Sequence, residues 1–138
     1  MAAKDIFHDA VKIGLEKEGW IITHDPLYIR LKGVQMYIDI GAEKIIGAEK
    51  SGQKIAVEIK SFTGPSAISD FHSALGQYLN YQQALEDTEP DRILYMAVPI
   101  DTYDQFFTLL FVQEAVIRHK IRLILYDNHN EVISTWKN

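Results

Sequence analysis

The sequence predicts an α/β sandwich, a central mixed β-sheet flanked by helices. Three observations lead there. The order of patterned segments is helix, several strands, helix, strand, helix, strand, strand, and interleaving of this kind builds a sheet covered by helices. Residues 91–99 form a near-continuous apolar run, as expected of a strand buried on both faces. Residues 55–60 alternate apolar and charged side chains around Glu58 and Lys60, the pattern of a half-buried strand. At 138 residues, 47% hydrophobic and 24% charged, the chain suits one domain (residues 1–138) with a substantial core.

Residues 3–18 read as the first helix, because Ile6, Phe7, Ala10, Val11, Gly14 and Leu15 recur at helical spacing. Asp5 and Asp9 lie early and Lys12 and Lys17 late, as the helix dipole favours, and Gly19 is a C-terminal stop. On this helix alone, His8 reads as a surface or half-buried histidine. Trp20–Thr23 is a strand, His24-Asp25-Pro26 a turn, and Leu27–Leu31 a second strand. A strand-like run, Tyr37–Ile40, then carries Asp39. The tetrapeptide Gly-Ala-Glu-Lys occurs at 41–44 and again at 47–50; two copies are too few for a solenoid. Ile45–Glu49 reads as a strand that Ser51-Gly52 turns into the Glu58 strand. Glu43 and Glu49 are expected to be solvated.

Ser66 is a candidate N-cap for a helix over Ala67–Glu86, on which Gln77 and Tyr81, four apart, share a face. After the buried strand, Asp101 or Thr102 caps a long helix reaching His119. With Phe106, Phe107 and Leu109–Val112 it is apolar almost all round, and so either buried or at an interface. Ile121–Tyr126 and Glu131–Trp136 are the closing strands, joined by a turn at 127–130.

Composition narrows the function. With no cysteine there is neither a disulfide nor a thiolate metal site, and the five histidines lack zinc-motif spacing. The N-terminus has no apolar signal core and no run is long enough to span a bilayer, so a cytoplasmic protein without a membrane partner is expected. The net charge of −5 argues against broad electrostatic binding of nucleic acid. It leaves room for a metal-dependent nuclease, whose acids repel phosphate until a cation arrives.

Asp and Glu are uncommon in strand centres, so Asp39 and Glu58 need a reason. Mg²⁺ or Mn²⁺ supplies one. Such a cation takes oxygen ligands and keeps several waters, so two carboxylates and a strand carbonyl, that of Ile59, suffice. Glu58 and Lys60, two apart, share a strand face. Lys60 is then placed to orient or deprotonate an attacking water or to hold a phosphate oxygen. These are the parts of metal-assisted phosphodiester hydrolysis. Taken alone, Glu58-x-Lys60 is only an amphipathic strand; Asp39 and the Gln77/Tyr81 helix make it a candidate site.

The set Asp39, Glu58-x-Lys60 resembles the PD-(D/E)xK restriction-endonuclease-like superfamily, with Ile38 where the superfamily carries proline. Gln77-x-x-x-Tyr81 looks like the Q-x-x-x-Y element of its RecB-like branch. The resemblance implies a restriction-endonuclease-like sandwich, a DNA substrate, and a first-helix acid at the metal, whose place His8 occupies here. Residues 4–11 (KDIFHDAV), 55–62 (IAVEIKSF) and 76–81 (GQYLNY) resemble the XisH family. That resemblance implies an excision-controlling factor for the fdxN DNA element of cyanobacteria, acting with a site-specific recombinase and a small companion, XisI. Two functions follow as expectations. One is a divalent-metal-dependent DNA endonuclease, or a derivative of one, in which Asp39, Glu58, Lys60, Gln77 and Tyr81 do the chemistry. The other is a non-catalytic module that keeps the fold and works through a partner or directs the recombinase on DNA. For this second function the 103–111 helix offers a face for a homodimer or for XisI, the alternative being burial in the core.

Overall fold

The computed structural model describes residues 4–45 and 52–138. Its strands are β1 (Ile21–His24), β2 (Leu27–Leu31), β3 (Val34–Ile38), β4 (Ile40–Ile45), β5 (Gly52–Ile59), β6 (Arg92–Pro99), β7 (Leu123–Asp127) and β8 (Val132–Lys137). Its α-helices are α1 (His8–Lys17), α2 (Ala67–Thr88), the short α3 (Ile100–Thr102) and α4 (Leu110–Arg118). Six strands form one sheet in the order β1-β4-β5-β6-β7-β8, and β2 pairs with β3 as a separate two-stranded ribbon. The β5–β6 and β6–β7 pairs are parallel and the rest antiparallel, so the sheet is mixed, as expected. Among the described residues no helix is long and apolar enough to cross a membrane.

Strand alternation divides the core into two layers. On one side Ala56, Leu94, Met96 and Leu123 meet Phe71, Ala74, Tyr78 and Leu85 of α2, together with the inward side chains Leu27, Ile29 and Ile38 of the ribbon. On the other, Ile55, Val57, Ile59, Ala97 and Ile124 meet Val11 and Leu15 of α1 and Trp20. β5 and β6 are therefore covered on both faces, which is why 91–99 reads as continuously apolar.

Several boundaries differ from the sequence reading, each for a local reason. α1 starts at His8 because Asp5 turns the chain first: its carboxylate accepts from the amides of Phe7 (2.9 Å) and Ser61 (3.1 Å). Gly19 closes α1 with φ +93°, and Ser66 caps α2 by accepting from the Ser69 amide, both as read. The long helix at 101–119 is broken. A π-helical turn over Tyr103–Phe107 follows α3, Leu109 is extended, and α4 begins at Leu110. The wider turn lets the adjacent Phe106 and Phe107 both pack on Phe62 and Phe71, which an α-helix at 100° per residue would not. Glu43, expected to be solvated, is half-buried in β4. The Ile45–Glu49 strand ends β4 at Ile45, and the remainder, with Glu49 and the second Gly-Ala-Glu-Lys copy, lies outside the described residues.

Candidate active site

The site forms where β5 ends. Glu58 and Lys60 share the α2 face of the sheet with Ala56, while Val57 and Ile59 face α1. Asp39 is not inside a strand: it is the single residue between β3 and β4, where the chain passes from the ribbon into the sheet. Freed from strand pairing, it reaches sideways to β5. Asp39 Oδ2 accepts from the Ile59 amide at 2.8 Å, and Glu58 Oε1 accepts from the Asp39 amide at 3.2 Å. Glu58 thus grips the Asp39 backbone and Asp39 grips the backbone one residue past Glu58, and the two carboxylates converge.

Lys60 stands beside them, its Nζ 3.3 Å from Glu58 Oε2 and donating to Gln77 Oε1 on α2. Its backbone is fixed on both sides, the amide donating to Ala97 O at 2.9 Å and the carbonyl accepting from the Tyr126 hydroxyl at 3.3 Å. The Lys60 amide points to β6, so the amide and carbonyl of Ile59 address the opposite edge, where Asp39 lies. A cavity of about 330 Å³ is lined by His8, Asp39, Glu58, Ile59, Lys60, Gln77 and Tyr81 together. A wider groove of about 620 Å³ beside β1 is open to solvent and holds neither acid of the pair.

The electrostatics follow from this crowding. Burial, then the neighbouring Asp39 charge, pushes the Glu58 carboxyl up to about 8, with Lys60 opposing. Burial also raises Asp39, offset by its hydrogen bond from Ile59, its link to Glu58, and the charges of Lys60 and His8. The Tyr81 hydroxyl is raised by burial and then by Glu58 and Asp39, so it remains a donor.

His8 is only 3% exposed, more buried than its helix alone implied. It shares the cavity but turns to other acids. Nε2 lies 2.8 Å from Asp25 Oδ1 and Nδ1 lies 3.4 Å from Asp9 Oδ1. The Asp25 approach is off the ring N–H direction, and Asp25 Oδ1 has no hydrogen-bond donor. Lys12 Nζ takes the other Asp25 oxygen at 3.1 Å. Among the described residues no three His, Asp or Glu side chains form a ready-made metal cage. The donor set still fits a hard divalent cation: two mutually repelling carboxylates, a main-chain oxygen on their edge, and room for solvent. Asp5, Asp25 and Tyr37 also line the cavity and were read only as helix, turn and strand residues. Their place depends on tertiary packing, and no spacing in the sequence marks it.

The family model for XisH protein matches residues 1–134. The fold closely resembles two crystal structures. One is of an XisH family protein from Nostoc punctiforme PCC 73102, 49% identical, with TM-score 0.89, covering 97% of this chain and 100% of that one. The other is of an fdxN element excision controlling factor protein from Anabaena variabilis, 50% identical, with TM-score 0.88, covering 98% of this chain and 100% of that one. No curated protein matches the chain.

Proposed function

The chain belongs to the XisH family, and from that premise we propose that it is an excision-controlling factor whose chemistry is divalent-metal-dependent hydrolysis of a DNA phosphodiester. One observation carries the chemical part: Asp39 and Glu58 converge in one cavity with Lys60, Glu58 accepting from the Asp39 amide and Asp39 from the amide of the next residue, Ile59. Two desolvated carboxylates held together without a cation are unfavourable, and a fold that builds such a pair is organised to bind one. Asp39, Glu58 and the Ile59 carbonyl would hold Mg²⁺ or Mn²⁺, which supplies Lewis-acid activation of the phosphodiester when bound.

The chain's own residues do the rest. Gln77 accepts from the Lys60 ammonium and fixes its direction, so Lys60 presents its remaining N–H groups to a phosphate oxygen or to the attacking water. Tyr81 lines the cavity and, kept protonated, offers its hydroxyl as a donor to the substrate. His8 lies against Asp25 and adds a polar wall beside Asp39. In the reaction the water oxygen bonds to phosphorus, one P–O ester bond breaks, and the water's proton ends on the leaving oxygen.

The test is cleavage of plasmid and oligonucleotide DNA with Mg²⁺ or Mn²⁺. Lys60→Ala is expected to lower the rate about 10²-fold or more while the protein stays folded. Glu58→Ala should remove both cleavage and metal binding. Wild-type rates in both variants would overturn the reading.

A specific observation favours a second reading, a non-catalytic module acting through a partner. Leu110, Phe111 and Ile117 on α4 are 68–76% exposed, a larger apolar face than α4 needs for its own packing. An XisI-like protein, a site-specific recombinase or a second copy of the chain would dock there. Normal excision by a Glu58→Ala, Lys60→Ala double variant in a reconstituted recombinase assay, with loss in Phe111→Ser, would decide for this reading.

A further inference from the structure

Beside the cavity, the outer face of the β2–β3 ribbon carries an aromatic pair that the core does not use. Leu27, Ile29 and Ile38 point inward to the α2 layer. Their neighbours point out, in the register Tyr28 with Tyr37 and Arg30 with Gln35. The two tyrosine rings lie 5.0 Å apart and are tilted by 43°, so only one can lie flat on a given planar group. Tyr28 is 45% exposed and offers its ring to solvent. Tyr37 lines the cavity that holds Asp39, two residues further along the chain. The ribbon face therefore runs continuously from an exposed aromatic ring, flanked by a guanidinium, to the acid pair.

Charge decides what such a face suits. The chain carries a net −5 and the cavity is acidic, so attraction to phosphate along a duplex supplies little affinity. Stacking of bases on aromatic rings does not depend on charge or sequence, but it requires bases that are not already stacked in a helix. Resting on the reading of the cavity as a phosphodiester site, we propose that the β2–β3 ribbon is a stacking platform for an unpaired nucleotide, so that single-stranded or locally opened DNA is what reaches Asp39, Glu58 and Lys60. Tyr28 takes the base, Arg30 stacks on the next base or holds the phosphate between them, and Tyr37 bounds the entry to the cavity.

The experiment measures binding of a fluorescein-labelled DNA of about 12 nucleotides, single-stranded or as a blunt duplex, to the full chain in Ca²⁺. The single strand is expected to bind about 10-fold more tightly than the duplex, the gain from one stacked base. Tyr28→Leu keeps apolar packing against Tyr37 but has no π face, and it should abolish the preference. Tyr28→Phe should retain it, and the indole of Tyr28→Trp should be quenched by the single strand. Duplex binding as tight as single-strand binding, or unchanged preference in Tyr28→Leu, would overturn the platform. Tighter binding of RNA of the same sequence would overturn its assignment to DNA. The two readings fail separately. If Lys60→Ala abolishes cleavage while Tyr28→Leu changes nothing, the platform falls and the cavity stands; stacking without any metal-dependent cleavage gives the reverse.

Discussion

Glu58 shows most directly how one residue sets the behaviour of the site. Its carboxyl is pushed from an ordinary 4.5 to about 8, by burial first and by Asp39 second. The folded protein then keeps a proton that the unfolded chain releases, so stability falls as pH rises through the window from about 4.5 to 8. At pH 5 in the absence of divalent metal, Glu58→Gln is expected to melt close to wild type. At pH 9 it should be more stable by several kcal/mol, because the amide can still accept from the Asp39 amide yet buries no charge. Thermal melts across this range check it, and a difference that does not grow with pH would contradict the assignment. Tyr81→Phe removes one donor and no ligand, so cleavage should fall about 10-fold while metal binding is kept. At this scale the sequence was informative where chemistry repeats at short spacing. Glu58 and Lys60 share a face by strand period, and Gln77 and Tyr81 share one by helix period. Asp39 was found through its unusual neighbours, but its position at the ribbon–sheet junction was not legible. His8 was visible as a residue, whereas its engagement with Asp25 depends on where a distant turn packs.

The elements show where periodicity gives the architecture and where side-chain volume overrides it. β2 is read to the residue because strict alternation and flanking turn residues define it. α2 is read within two residues of its end because Ser66 and Pro90 bracket it. The sequence predicts one helix over 101–119 because Phe106–Val112, interrupted only by Thr108, is apolar all round, and a run of that kind carries no phase information. The break follows from two adjacent phenylalanines that both enter the core. Thr108 Oγ1 then donates to Asp104 O at 2.9 Å, satisfying a carbonyl of the turn. This division has a measurable consequence. Phe107 is fully buried among Phe62, Phe71 and Tyr103, so Phe107→Ala should cost about 3–5 kcal/mol. Phe111, on the solvent side of α4, should change stability by no more than about 0.5 kcal/mol when replaced by alanine. Urea unfolding of both variants checks the pair; equal losses would mean that the two phenylalanines occupy equivalent environments.

Across the whole molecule, the cavity joins segments distant in sequence: the start of α1, the ribbon–sheet junction, the end of β5 and the middle of α2. Asp39 and Glu58 are each held by a backbone amide, of Ile59 and of Asp39 respectively, so the repulsion between them is built into the fold. A divalent cation relieves that repulsion only in the folded state, because unfolding separates the two acids along the chain. Binding must then stabilise the molecule as a whole, by about 2.7 kcal/mol at a cation concentration a hundredfold above Kd. The wild-type Tm should rise with Mg²⁺ or Mn²⁺ at pH 8, where Glu58 is partly ionised, and rise less at pH 6, where its proton competes with the metal. Asp39→Ala should abolish the response by removing a ligand. Lys60→Ala should preserve or strengthen it, since the lysine cation competes electrostatically with a metal at Glu58. A general ionic effect would raise all three melts alike and would respond equally to Na⁺ at matched ionic strength. Equal shifts in wild type and Asp39→Ala would therefore place the cation elsewhere and remove the basis for hydrolytic chemistry at this cavity, however closely the two acids converge.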